Sequence, residues 1–256
     1  MKKLFKKMLS LVMALAMVVG VFASMSNVFA ESITPGKSVY ASYQDVNQRI
    51  FGTINLKDYV LEDGKVFDDN GRKIYRGTLG GEIEAHDLFE DALETFKRDF
   101  EGKTSIGFPA EHIVMYGADK GFPTCNYKIE LPSNVVVDKS KIEVSEESGA
   151  ISKIYVSPND PENVVTVVIQ LGNWNDYAGF FELVEKEINK PGHLIKVEVP
   201  FEIDASNANP GDTLATIKSK GDCKLYYNGR WSFLPKYKKP IVDIAAKEIL
   251  HDVIYK

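Results

Sequence analysis

Short apolar runs with a period of two constrain this chain more than anything else in it. Branched and aromatic residues recur at alternate positions in Asn126–Leu131, Ile151–Val156, Val164–Leu171, His193–Ile203 and Thr213–Ser219. Shorter runs at Ser38–Tyr43, Ile50–Leu56, Lys65–Phe67, Lys73–Tyr75, His112–Tyr116 and Lys141–Val144 read the same way. Alternation at that period gives a strand one apolar face. A chain with so many strands must pair them and cover the apolar faces, most simply by packing one sheet on another. The expected fold is mainly β, of α+β class: an antiparallel β-sandwich, Ig-like in broad architecture, with two or three packed amphipathic helices.

Turn chemistry fixes two expected hairpins. Asn70-Gly71 lies between Lys65–Phe67 and Lys73–Tyr75, and Asn228-Gly229 lies between Leu225–Tyr227 and Arg230–Phe233. Both residue types tolerate positive φ, which a tight hairpin turn requires. Three segments change to a helical period. Asp87-Leu-Phe-Glu90 reads as a capping box leading into Leu88, Phe89, Ala92, Leu93, Phe96 and Phe100, with Gly102 as the stop. A second helix is expected to start at Asn175 or Asp176, to carry Tyr177, Phe180, Phe181, Val184 and Ile188, and to stop at Pro191-Gly192. After Pro240, the residues Val242, Ala245, Ile249 and Val253, with Leu250 and Ile254, read as the stripe of a third, packed on the sheet. Gly and Pro within 117–124 suggest a boundary between a small α+β region at 31–120 and a β-sandwich region at 121–256, although the two could form one domain.

The N-terminus is a secretory leader in pattern. Lys2, Lys3, Lys6 and Lys7 precede an apolar stretch from Met8 to Ala23, and Val28-Phe29-Ala30 offers a small-x-small cleavage site before Glu31. Val21-Phe22-Ala23 is an alternative site, closer to the apolar stretch. The stretch is shorter than the roughly 20 residues a membrane-spanning helix needs. No cysteine follows it for lipid attachment, and no LPxTG-type sorting pattern is seen. The expected product begins at Glu31 and is secreted or extracellular, either released or associated with the cell surface only through what it binds. The whole chain has 31 basic and 36 acidic side chains. Loss of residues 1–30 removes four lysines and no acid, so the net charge moves from −5 to −9. That disfavours nucleic acid or an anionic membrane surface as a partner.

Cys125 and Cys223 are the only cysteines, and each opens a short alternating run. An even pair in an exported chain reads as one disulfide between neighbouring strands. Two cysteines without CxxC spacing or a histidine pair give no metal site. Catalytic signatures are missing. His86, His112, His193 and His251 have no metal-binding spacing, and GxSxG, GxxxxGK[ST] and GxGxxG do not occur. No cofactor is therefore expected. A Cys125–His193 nucleophile pair lacks a supporting local pattern. The paired carboxylates Glu82/Glu84, Glu90/Asp91, Glu146/Glu147 and Asp160/Glu162 leave open a glycosidase-like pair facing across roughly 5–10 Å. Asp68, Asp69 and Asn70 fit a turn better than a calcium loop.

The candidate recognition residues are aromatic. Trp174 and Tyr177 stand in the polar segment Gly172-Asn-Trp-Asn-Asp-Tyr177, and Tyr226 and Trp231 belong to the expected second hairpin. Aromatic faces beside Asn and Asp combine stacking with directed hydrogen bonds, as glycan or protein recognition requires. Tyr127-Lys-Ile-Glu-Leu-Pro132, Val164-Val-Thr-Val-Val-Ile-Gln170 and Ile195-Lys-Val-Glu-Val-Pro200, separated by acidic turns, resemble the β-sandwich modules of secreted or wall-associated Gram-positive surface proteins. The resemblance implies a non-enzymatic binding protein with a glycan or protein ligand. Some such modules form a Lys–Asn isopeptide bond, but no residue pair here carries a signature for one. The alternatives are a secreted hydrolase using paired carboxylates and a structural component of an exported assembly.

Overall fold

Two long strands, β14 (Thr213–Tyr227) and β15 (Val242–Ile254), organise the molecule. A computed structural model describes residues 38–44, 47–102, 104–105, 108–109, 115–117, 121–172, 177–187, 192–227, 240 and 242–256. The leader, with Ala30 and Glu31, lies outside these residues. Among the described residues, no helix is long and apolar enough to cross a membrane.

The remaining strands are β1 (Ser38–Gln44), β2 (Asn47–Ile54), β3 (Leu61–Asp69), β4 (Arg72–Glu84), β5 (Thr104–Ser105), β6 (Phe108–Pro109), β7 (Met115–Tyr116), β8 (Thr124–Glu130), β9 (Val135–Val137), β10 (Glu143–Glu146), β11 (Ile151–Val156), β12 (Val164–Leu171) and β13 (Leu194–Asp204). Among the described residues, the α-helices are α1 (Ala85–Asp99) and α2 (Tyr177–Glu187). The larger sheet has the order β1-β2-β15-β14-β8-β12-β11, with β7 beside the end of β14. The smaller sheet has the order β10-β13-β4-β3, with β9 also beside β13.

The two sheets pack as a sandwich at one end. Tyr75, Leu79, Val199, Phe201 and Ile203 of the smaller sheet meet Ile129, Val165, Ala215, Ile217 and Val253 of the larger in one buried cluster. At its other end the larger sheet receives the helices instead. Ala92, Leu93 and Phe96 of α1 and Phe180, Phe181 and Val184 of α2 pack on Ile50, Leu171, Leu225, Val242 and Ile244. Phe96 and Phe181 stack at 4.6 Å between centroids, and Phe89 meets Phe180 edge-on at 5.5 Å. A third, smaller cluster joins Ala85, Ile151 and Ile195. The expected β-sandwich with packed helices is therefore the fold.

Several local expectations need correction. The segment after Pro240 is a strand, not a helix. Its buried positions, Val242, Ile244, Ile249 and Val253, follow a period of two that is broken once. Ser219 pairs with Ile249 and Gly221 with Ala246, so β15 spends one extra residue against β14. That bulge inserts a three-residue step and imitates a helical stripe. β15 also runs parallel to β2, so the sheet is not wholly antiparallel. Helix α1 starts at Ala85, with no side-chain cap at Glu84. Asp87 is inside it and accepts a hydrogen bond from the Tyr59 hydroxyl at 3.3 Å. The runs at Thr213–Ser219 and Leu225–Tyr227 are one strand.

The Asn70-Gly71 hairpin has the expected form. Asn70 and Gly71 have φ of 54° and 84°, and the Gly71 amide donates to Asp68 Oδ1 at 2.8 Å. The second expected hairpin, at Asn228-Gly229, lies outside the described residues.

Candidate functional site

The outer face of the smaller sheet carries a groove of about 710 Å³. Strand register builds it. Lys65 of β3 lies opposite Arg76 of β4, Arg76 opposite Glu202 of β13, and Glu202 opposite Val136 of β9. The four side chains form one row across four strands because register partners share a face of the sheet. Val136 and Phe67 are 66% and 37% exposed, unusual for large apolar side chains on a sheet face. Beneath the groove Gly64 pairs with Gly77. A Cβ on Gly64 would lie 2.5 Å from the Tyr75 ring, and one on Gly77 2.8 Å from the Phe201 ring. The two rings, stacked at 6.2 Å, support the floor from the core side.

Charged contacts cross this face. The Arg76 guanidinium donates to Glu202 Oε1 at 2.8 Å and lies 3.8 Å from Asp69 Oδ2. Arg76 and Lys65 each sit 5.4 Å from the Phe67 ring centroid. At the rim, Asp138 accepts from the Ser140 hydroxyl at 2.6 Å and amide at 3.1 Å, with Lys141 at 3.3 Å. These contacts, the Ser140 hydrogen bonds first, hold the Asp138 carboxyl below its usual range. The face thus presents two apolar side chains among charges whose positions are fixed by one another. It can offer area and charge pattern to a partner.

The residues expected from sequence to recognise a ligand are only partly described. Trp174 and Trp231 lie outside the described residues. Tyr177 is the first residue of α2, and Tyr226 is half-buried near the end of β14, opposite Tyr116. Cys125 and Cys223 are brought together. They are direct register partners on β8 and β14, although their sulfurs are not bonded to each other in this structure. The Cys223 thiol is held well above its usual range, by its hydrogen bond to Cys125 first and by burial second.

Four of the paired carboxylates hold backbone amides or a countercharge. Glu84 accepts from the Gly192 and His193 amides, both at 3.1 Å, and Glu82 lies 3.7 Å from Lys196 Nζ. Glu146 accepts from the Ser148 amide at 3.0 Å, and Asp160 from the Thr166 amide at 2.7 Å. Ser148, Glu187 and His193 do gather, but in an order unsuited to a nucleophile. The Ser148 hydroxyl donates to Glu187 rather than to His193, whose Nδ1 is 3.9 Å from Glu187 and 2.9 Å from the Glu147 carbonyl. Glu187 also accepts from the Gly149 amide and so braces the turn between β10 and β11. Among the described residues no group of three metal-ligating side chains occurs.

Sequence reasoning missed the groove residues. Lys65, Arg76, Val136 and Glu202 come from four separate strands, and only the register brings them together.

No family model matches the chain, and no curated protein matches it. Among solved structures, it is similar to the collagen-binding domain from a Staphylococcus aureus adhesin, at 9% identity, 77% of this chain, 97% of that chain and a TM-score of 0.30. The collagen-binding subdomain of the Enterococcus faecalis surface protein ACE is also 9% identical, over 77% of this chain and 96% of that one, with a TM-score of 0.30. The major pilin subunit of Bacillus cereus is 10% identical over 75% of this chain and 40% of that one, with a TM-score of 0.30. Binding of collagen and formation of pili are properties of those proteins.

Proposed function

We propose that this chain is an exported binding protein, secreted or held at the cell surface, that recognises a protein ligand on the outer face of its smaller sheet. The groove with exposed Phe67 and Val136 supports this reading most. A protein partner suits it better than a glycan. A sugar stacks on an open aromatic face, whereas the Phe67 ring already has Lys65 and Arg76 against it. The ordered row Lys65, Arg76, Glu202 and Val136 instead suits an interface with an apolar centre and a charged rim. Trp174, Tyr177, Tyr226 and Trp231 form a second recognition face in this proposal, the one a glycan ligand would use.

Export is part of the same proposal: cleavage follows Ala30, and Cys125 and Cys223 join as a disulfide in the oxidising exterior. The test is a binding screen of the purified protein against extracellular proteins and glycans, repeated with Val136→Asp and with Trp174→Ala/Trp231→Ala. Loss of protein binding in Val136→Asp alone supports the sheet face. Loss only in the tryptophan variant moves recognition to the second face.

A further inference from the structure

A domain of this size normally builds one contiguous apolar core. Here the core divides into three clusters, and a void of about 170 Å³ lies where they meet. All three clusters supply its wall: Leu225 and Ile244 from the helix-covered end, Leu79 and Ile129 from the sandwich, and Ile83 and Leu88 from the third. We propose that this void is a binding site for a small hydrocarbon group, either one aromatic ring or an alkyl segment of similar volume.

Polarity and size both point to such a ligand. Water needs two to four polar partners to occupy a cavity, and an apolar cavity of about 150 Å³ stays dry and takes up benzene. The polar residues along this wall are committed elsewhere. The Tyr127 hydroxyl pairs with Ser219 at 2.8 Å, and the Tyr59 hydroxyl donates to Asp87. Asn126 and Asp222 are mutual register partners next to Cys125 and Cys223, so they point to the opposite face of the sheet from the cysteines. Glu82 likewise alternates with Ile83 and lies near Lys196. A hydrocarbon would restore the dispersion contacts that an empty wall lacks.

The site is separate from the outer groove, because Leu79 and Arg76 stand on opposite faces of β4. Failure of one reading leaves the other intact.

The test titrates the purified protein with benzene, n-octanol and lysophosphatidylglycerol while recording methyl NMR spectra and Tm. The expected result is saturable shifts confined to Leu79, Ile83, Leu225 and Ile244, with Tm rising as the probe concentration rises. Ala92→Leu, which fills the void from α1, should weaken binding about tenfold or more. Ala246→Val fills it from β15 and serves if Ala92→Leu fails to fold. Binding of lysophosphatidylglycerol at least as tight as that of octanol identifies the group as a lipid alkyl chain. Binding of the free probes alone identifies a free hydrocarbon. The absence of saturable shifts with all three probes, or shifts scattered over the surface, would overturn the proposal.

Discussion

The Tyr75 hydroxyl donates a hydrogen bond to Glu62, a carboxylate that points inward from the edge strand β3. Tyr75 is fully buried, the Glu62 side chain is 3% exposed, and Lys256 Nζ lies 3.4 Å from the second carboxylate oxygen. An inward charge on an edge strand discourages pairing with another chain's edge, and here it also ties the C-terminus to the sandwich. Glu62→Ala should cost about 1–3 kcal/mol because it leaves a buried hydroxyl without its acceptor. Glu62→Gln keeps an acceptor oxygen and should cost less. Urea denaturation of the two variants checks the order.

His251 on β15 gives the protein a defined pH dependence. Its imidazole is held below the usual range by burial, with a smaller lowering from Lys256, against the pull of Glu62 and Asp252. A depressed base is neutral in the fold while the unfolded chain still takes up the proton. The resulting stability is present above the unfolded pKa of about 6.5 and is lost as pH falls through the folded value. Stability should decline on acidification below about pH 6.5, and His251→Leu should flatten that slope relative to the parent. Urea midpoints from pH 8 to pH 5 measure the difference.

β15 lies between β2 and β14 inside the larger sheet. Removal of residues 242–256 therefore opens the sheet along two ladders and takes Val242, Ile244, Ile249 and Val253 out of the core. The truncated chain should lose cooperative unfolding, as followed by circular dichroism. A chain whose C-terminus were a peripheral helix would keep it.

Cys125 and Cys223 should be oxidised in protein recovered from outside the cell. Exchange with a disulfide oxidant would form the Cys125–Cys223 bond and release two reduced thiols from the oxidant. Intact mass should fall by the two thiol hydrogens, and a non-reduced digest should contain the linked peptides. Replacing both cysteines with serine should cost about 2–5 kcal/mol.

How much of this was legible in sequence depended on whether the signal was local. Asn70-Gly71 announced its turn because positive φ is a property of those two residues. Phe96 and Phe181 announced the buried faces of their helices through spacing alone. β4 was seen only as Lys73–Tyr75, although it continues to Glu84. Gly77, Gly80 and Gly81 erase the alternation there, and a Cβ on Gly80 would lie 2.0 Å from the Val197 carbonyl oxygen. At β15 a bulge counterfeited the helical period, while the β-branched content of Val242, Ile244, Ile249 and Val253 favoured a strand. Cys125 and Cys223 are register partners on strands that each open a legible alternating run, whereas the row from Lys65 to Val136 required a register that no single segment encodes.

Protein binding by the outer face of the smaller sheet can be measured directly. The most direct measurement is surface plasmon resonance of the purified protein against a panel of extracellular proteins, with Phe67→Ala/Val136→Asp as the paired control. Both positions are exposed, so the variant should keep the parent's Tm within a few degrees. The expected result is saturable binding to at least one panel protein and at least tenfold weaker binding by the variant. Binding to the panel that is equal for parent and variant, or no binding at all, would contradict it.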